Sequence, residues 1–238
     1  VDNLEEFNVE ATYVDGIKVA EHGKTLINSI EESPSNNFST NPVEADELRV
    51  PVATRDIRVQ KAVDGQLITD EIHVSPKVSN GYAVSDPDRD ILKLVVRNRY
   101  LVAPPAVGFA FGFGLKRGAI ASCVAHDSHN IVAVGADDDS IARAINLIIS
   151  SKGGISIVEG DNEMILPLPF AGIMSDRDGY QIASIYEKMD QWAKRLGSNL
   201  RAPYMTLSFM ALLVIPELKL SDKGLFDGRK FAFTSLFL

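Results

Sequence analysis

The densest group of chemically capable side chains is His126-Asp127-Ser128-His129-Asn130. It places two of the chain's four histidines, a carboxylate, a hydroxyl and an amide in five consecutive positions. Imidazole changes charge near neutral pH, and a neighbouring carboxylate can fix its tautomer. These residue types could supply a general base, a metal ligand or groups that read the edge of a substrate. The spacing leaves the geometry open, since positions three apart share a face on a helix and point to opposite faces on a strand. A shared metal would require a turn. A polar turn in which Asp127, Ser128 and Asn130 satisfy their own backbone accounts for the same composition. A catalytic zinc takes about three protein ligands, and the two other imidazoles, His22 and His73, fall in hairpin or turn contexts. No metal ligand is assigned.

A second segment, Gly108-Phe-Ala-Phe-Gly112-Phe-Gly114-Leu-Lys116-Arg117-Gly118, combines glycines with two cations. Such a turn could cradle an anion, which makes Lys116 and Arg117 candidate substrate-binding residues. It lacks the Gly-Lys-Ser/Thr of a phosphate loop and the glycine spacing of a dinucleotide site, and a tight turn with solvated cations explains it as well. Ser122 and Ser128 have no Gly-x-Ser-x-Gly context to mark a hydrolase nucleophile. Cys123 sits in an apolar run and reads as a small buried hydrophobe. The zinc-binding pattern of cytidine-type deaminases is absent from the sequence.

The elements that must position these residues follow from periodicity and turn chemistry. Val9 to Ala20 is a hairpin around Asp15-Gly16, and Asp56 to Val63 pairs with Leu67 to Val74 around Asp64-Gly65. Ile91 to Val102 is a strand, and three short apolar runs between Ala106 and Val134 suit buried strands. A helix follows Asp137-Asp138-Asp139, with Ile141, Ala144, Ile145 and Ile148 on one stripe and Gly153-Gly154 at its end. The acidic triplet reads as a cap. Ile155 to Leu166 is another hairpin, and Ser175 to Gly197 is a second helix, with Asp176, Arg177 and Asp178 at its start. The expected fold is α+β, a mixed, mainly antiparallel sheet packed with two principal helices and preceded by a short β-hairpin segment. The polar, turn-rich stretch from Asn28 to Pro42 suggests a linker. The implied boundaries are 1–33, a linker at 34–44, and 45–238.

Composition narrows the function classes. The 238 residues are 45% hydrophobic with a formal net charge of -8, which argues against an extended nucleic-acid footprint. No run approaches the roughly 18 apolar residues of a membrane span, and the acidic start lacks a signal-peptide pattern. A single cysteine fits a reducing compartment, so a cytoplasmic location is expected. The chain opens with Val1 and enters a strand pattern within a few residues, as a fragment or processed product would.

Gly112-Phe-Gly-Leu-Lys-Arg-Gly-Ala-Ile-Ala-Ser122, running into Val124-Ala-His-Asp-Ser-His-Asn130, closely resembles the C-terminal region of microbial adenine deaminases. Pro167-Leu-Pro-Phe-Ala-Gly-Ile-Met-Ser175, Pro203-Tyr-Met-Thr-Leu-Ser-Phe209, Ile215-Pro-Glu-Leu-Lys-Leu-Ser-Asp-Lys-Gly224 and the terminal Phe-Thr-Ser-Leu-Phe agree with it, over about residues 45 to 238. Residues 1 to about 30 resemble the last hairpins of the small β domain that follows the catalytic barrel in these enzymes. The resemblance implies hydrolysis of adenine to hypoxanthine and ammonia in purine salvage, by an amidohydrolase barrel with a binuclear manganese or iron centre. Metal-lowered water acidity and proton delivery to the leaving amine are the physical basis of that chemistry. The barrel's His-x-His motif does not occur here. The chain alone is therefore expected to lack the centre and to work with a barrel of its own or a companion chain. The resemblance suggests that the 126–130 loop approaches the barrel mouth, with His126, Asp127 and His129 near the chemistry and Ser128 and Asn130 contacting substrate. A buried inter-domain junction is the alternative. A homo-oligomer is expected, with the apolar tail Lys230 to Leu238 as a candidate edge. A purine-binding or subunit-assembly module without catalysis is the competing reading.

Overall fold

The computed structural model describes residues 1–28 and 33–238. Part of the predicted linker, residues 29–32, lies outside them. The chain forms two compact units, Val1–Ser33 and Pro34–Leu238.

The first unit is a three-stranded antiparallel sheet of β1 (Ala11–Val14), β2 (Ile17–Glu21) and β3 (Lys24–Thr25). Asp15 and Gly16 take φ values of 48° and 78°, and a positive φ at both central residues is what a tight hairpin needs. Among its described residues no side chain is buried, and Leu4, Phe7, Tyr13 and Ile17 are exposed.

The second unit opens with residues 34–44, laid out without regular structure, and a 3-10 turn at Ala45–Leu48. The strands β4 (Val50–Pro51), β5 (Ile57–Ala62), β6 (Thr69–Val74), β7 (Lys77–Ser79), β8 (Tyr82–Val84), β9 (Ile91–Arg97), β10 (Ala106–Phe111), β11 (Ala119–Ser122) and β12 (Ile131–Gly135) follow. Next come α1 (Asp138–Ser150), β13 (Gly154–Glu159), β14 (Asn162–Pro167), α2 (Gly179–Arg195) and α3 (Pro203–Phe209), then β15 (Leu218–Ser221), β16 (Gly224–Asp227) and β17 (Ala232–Phe233). The main sheet has eight strands in the order β14-β13-β11-β12-β9-β10-β5-β6, antiparallel except where β10 runs beside β5. The expected α+β class is the observed one. Among the described residues, no helix is long and apolar enough to cross a membrane.

Side chains alternate along each central strand, so β9, β11 and β12 serve two cores. Leu92, Leu94, Val96, Ile120, Val132 and Val134 pack with Met189 and Ala193 of α2 and Tyr204 and Leu207 of α3. Val95, Ala119, Ala121, Ile131 and Ala133 pack with Ile141, Ile145 and Ile148 of α1. A sheet covered on both faces explains why these strands read as continuous apolar runs rather than alternating ones. Asp137 caps α1, accepting from the Ser140 backbone at 2.8 Å. Asp178 caps α2, accepting from Tyr180 N at 3.0 Å and Gln181 N at 3.3 Å. Asp138 does more than cap: it pairs at 2.7 Å with Lys93, a fully buried lysine.

Several boundaries differ from expectation. β9 stops at Arg97 rather than Val102, and α2 starts at Gly179 rather than Ser175. The apolar run from Met205 belongs partly to α3, whose seven residues are too few to display a helical stripe. Residues 34–44, expected as a linker, fall within the larger unit. Val43 is buried and exchanges two backbone-to-amide hydrogen bonds with Asn146 of α1, at 2.8 and 2.9 Å. Lys93 and Arg97 lie on one face of β9, with Arg99 in the bend just beyond it, and the carbonyls of Leu48 and Asn41 accept from Lys93 and Arg97 at 2.8 and 3.0 Å. Composition hides this ordering because the partners are backbone carbonyls, which every residue carries. In the tail, Phe231 and Phe233 are exposed, while Leu236 accepts from the Arg58 backbone at 2.8 Å.

Candidate functional site

The 126–130 loop issues from the middle of the main sheet. β11 ends at Ser122 opposite Val132, so residues 123–130 bridge two central strands. At the same edge β9 ends with Arg97 opposite Ile131, and β14 ends with Pro167 opposite Gly154. Residues 98–102 and 168–175 therefore emerge beside the loop. Cys123 ties two of these segments, its backbone N–H donating to Gly154 O at 3.0 Å and its thiol to Gly172 O at 2.7 Å. Burial pushes that thiol up to about 11, so at neutral pH it is a packed group and not a nucleophile.

Each loop residue has a definite environment. His126 donates its backbone N–H to Ser208 O at 3.0 Å, and its ring stacks on Phe209 with centroids 5.0 Å apart. The His129 ring meets His126 edge-on at 5.8 Å. His129 has φ 51°, and its backbone donates to Ala125 O at 2.6 Å. Burial, then the neighbouring His126 and Arg99, lowers its pKa against an opposing pull from Asp127. Asn130 is buried and its Oδ1 accepts from Arg99 N at 3.3 Å. Ser128 O accepts from the Tyr100 hydroxyl at 2.8 Å. Asp127 and Ser128 are exposed and line a groove of about 360 Å³ with Ala211, Leu213, Val214, Ser221 and Asp222. The loop is a true turn, satisfied through its backbone, and it presents one carboxylate and one hydroxyl outward.

Lys116 and Arg117 stand before β11, whereas the loop follows it, so the strand separates the two candidate groups. Lys116 donates to Pro87 O at 2.7 Å, and Arg117 pairs with Glu159, which also accepts from Trp192 at 2.7 Å. The glycine turn does cradle an anion, but one of the chain's own. The N–H groups of Gly112 and Gly114 donate to the Asp90 carboxylate at 2.9 and 2.7 Å. Both glycines have positive φ, 101° and 74°, which is the reason they are glycines.

Sequence reasoning passed over Arg99, Tyr100, Phe209 and Asp222. The polar triplet Asn98-Arg99-Tyr100 at the end of an apolar strand was the visible clue, because it breaks a buried pattern at the sheet edge. Asp222, which accepts from Asn98 at 2.8 Å, comes from a distant segment and carries no local mark. Among the described residues, no group of three or more His, Cys, Asp or Glu side chains could hold a metal. Two stacked or edge-on imidazoles and one exposed carboxylate do not fit a binuclear centre.

Residues 66–232 match the family model described as the adenine deaminase C-terminal domain, and the chain belongs to that family. Its resemblance extends further than the matched domain. An adenine deaminase of Salinibacter ruber is 50% identical over 240 residues, covering 100% of this chain and 44% of the relative. One of Methanosarcina barkeri is 48% identical over 246 residues, with 100% and 44% covered. One of Parabacteroides distasonis is 44% identical over 238 residues, again with 100% and 44% covered. The chain thus spans less than half the length of these curated relatives.

Proposed function

We propose that this chain is the C-terminal part of an adenine deaminase, an enzyme that hydrolyses adenine to hypoxanthine and ammonia in purine salvage. The observation that carries the reading is the unbroken similarity over 100% of the chain to relatives of which it makes up 44%. The small unit agrees with it: three short strands that bury no side chain of their own are what the end of a larger β domain would look like. In this reading the binuclear manganese or iron centre belongs to an amidohydrolase barrel on the same or a companion chain, and the assembly is a cytoplasmic homo-oligomer. The loop from His126 to Asn130 meets the barrel mouth. Its backbone is held from below by Ser208, Ala125 and Tyr100, which leaves Asp127 and Ser128 outward for substrate or a solvent molecule.

A second reading, an assembly module without a catalytic share, draws on the exposed apolar side chains Leu101, Val102, Met174 and Val214 on the segments around the loop. Replacing Asp127 by Ala in a polypeptide that includes the barrel separates the two. Asp127 is exposed, so its loss leaves folding intact. A fall in turnover of about tenfold or more, the range of lost general acid-base help, supports the loop at the active site. Unchanged turnover with weakened subunit association supports assembly.

A further inference from the structure

Arg99 is 4% exposed, and among the described residues it has no carboxylate partner. Its Nη2 donates to the Tyr100 hydroxyl at 2.9 Å, and its guanidinium lies over the Tyr100 and Phe38 rings at 4.6 and 5.6 Å. Among the described residues, the buried Nε and Nη1 have nothing to donate to. Nη1 lies where a side chain on Gly172 would stand, so residue 172 has to be glycine for the fork to fit. On β9 itself, Lys93 has its carboxylate in Asp138, and Arg97 has two backbone carbonyls. Arg99 alone of the three is left with a phenol.

A second group near it is also unpartnered. His129 Nδ1 is buried without a hydrogen bond, and Arg99 acts on the His129 ring electrostatically. A buried guanidinium with two idle donors is costly, because native proteins pair such charges, and a planar fork matches an oxyanion best. We propose that Arg99, with His129 as a second donor, forms a receptor for one oxyanion, a carboxylate or a phosphate, behind the 126–130 loop. Tyr100 guards its outer side, since the same hydroxyl that accepts from Arg99 donates to Ser128 O. Entry of the anion completes the Arg99 fork and fixes the loop through Ser128 and Asn130. This inference stands on the structure of this chain and does not rest on the proposed activity.

The test is nuclear magnetic resonance of the imidazole signals in the 238-residue chain, titrated with sodium chloride, inorganic phosphate or acetate at matched ionic strength. A saturable shift of His129 in phosphate or acetate, absent in chloride, is expected. A phosphate response identifies a free anion as the ligand, and an acetate response identifies a carboxylate such as an acidic side chain. Arg99→Met should abolish the response. Should that variant not fold, Arg99→Lys keeps the charge without the fork and should weaken binding about tenfold, as for one charge-assisted hydrogen bond. Identical behaviour in all three salts overturns the proposal, as does a response that survives in either variant at full strength.

Discussion

Residue by residue, the loop owes its chemistry to burial more than to its own composition. Burial, then His126 and Arg99, push the pKa of His129 below the ordinary 6.5 against an opposing pull from Asp127. A proton taken up by this ring would put a second positive charge beside Arg99, which the lowered pKa reflects. As pH falls through 6.5, the unfolded chain takes up a proton that the folded loop refuses, so stability drops. The wild-type chain should therefore lose urea resistance relative to His129→Gln between pH 7 and 5. The His129 signal should titrate below 6.5, and a midpoint at or above 6.5 contradicts this environment. The five polar residues were visible in sequence because they interrupt two apolar runs. Arg99 was marked only by the polar triplet that ends its strand, and Phe209 by nothing, because a phenylalanine in an apolar run looks alike whether it faces the core, solvent or a site.

At the level of elements, long-range polar ties hold the frame of the site. Asn146 reaches from α1 to both backbone groups of Val43 and fixes the 34–48 segment over the cationic face of β9. Asn146→Ala strands a partly buried donor and acceptor. It should cost about 2 kcal/mol in urea unfolding, the usual penalty for an unpaired group, and a loss under 0.5 kcal/mol would mean that the segment is held otherwise. Lys219 plays a similar part. Its ammonium donates to Leu67 O at 2.8 Å and Phe209 O at 3.0 Å, and burial lowers its pKa from 10.5 to about 8. Between those values the unfolded chain holds a proton that the folded chain has lost, so stability rises with pH through the window. Relative to Lys219→Met, the wild type should gain on the order of 3 kcal/mol between pH 7.5 and 10.5; parallel curves would place the ammonium in water. Strands, hairpins and both long helices were legible from period and turn residues, since those depend on near neighbours. Strand order and these ties join residues as much as 152 positions apart, and no local pattern encodes them.

For the whole molecule, the family to which the chain belongs is that of the adenine deaminase C-terminal domain, and among the described residues no group of three or more His, Cys, Asp or Glu could hold a metal. Eight strands, packed on both faces, make the base, and the segments 98–102, 123–130 and 168–175 emerge at one edge of it. That base presents Asp127 and Ser128 outward, with the buried Arg99 and the half-buried His129 on the same side of the sheet. The proposed function divides the labour between this chain and a metal-bearing barrel. Ammonia release from adenine by the purified chain, with manganese or iron supplied and bound metal counted on the same sample, tests it directly. The expected result is no turnover above background and no tightly bound metal. Sustained turnover by the chain alone, with contaminating deaminase excluded, would mean that the His126 to Asn130 loop builds a catalytic site of its own and would contradict that division.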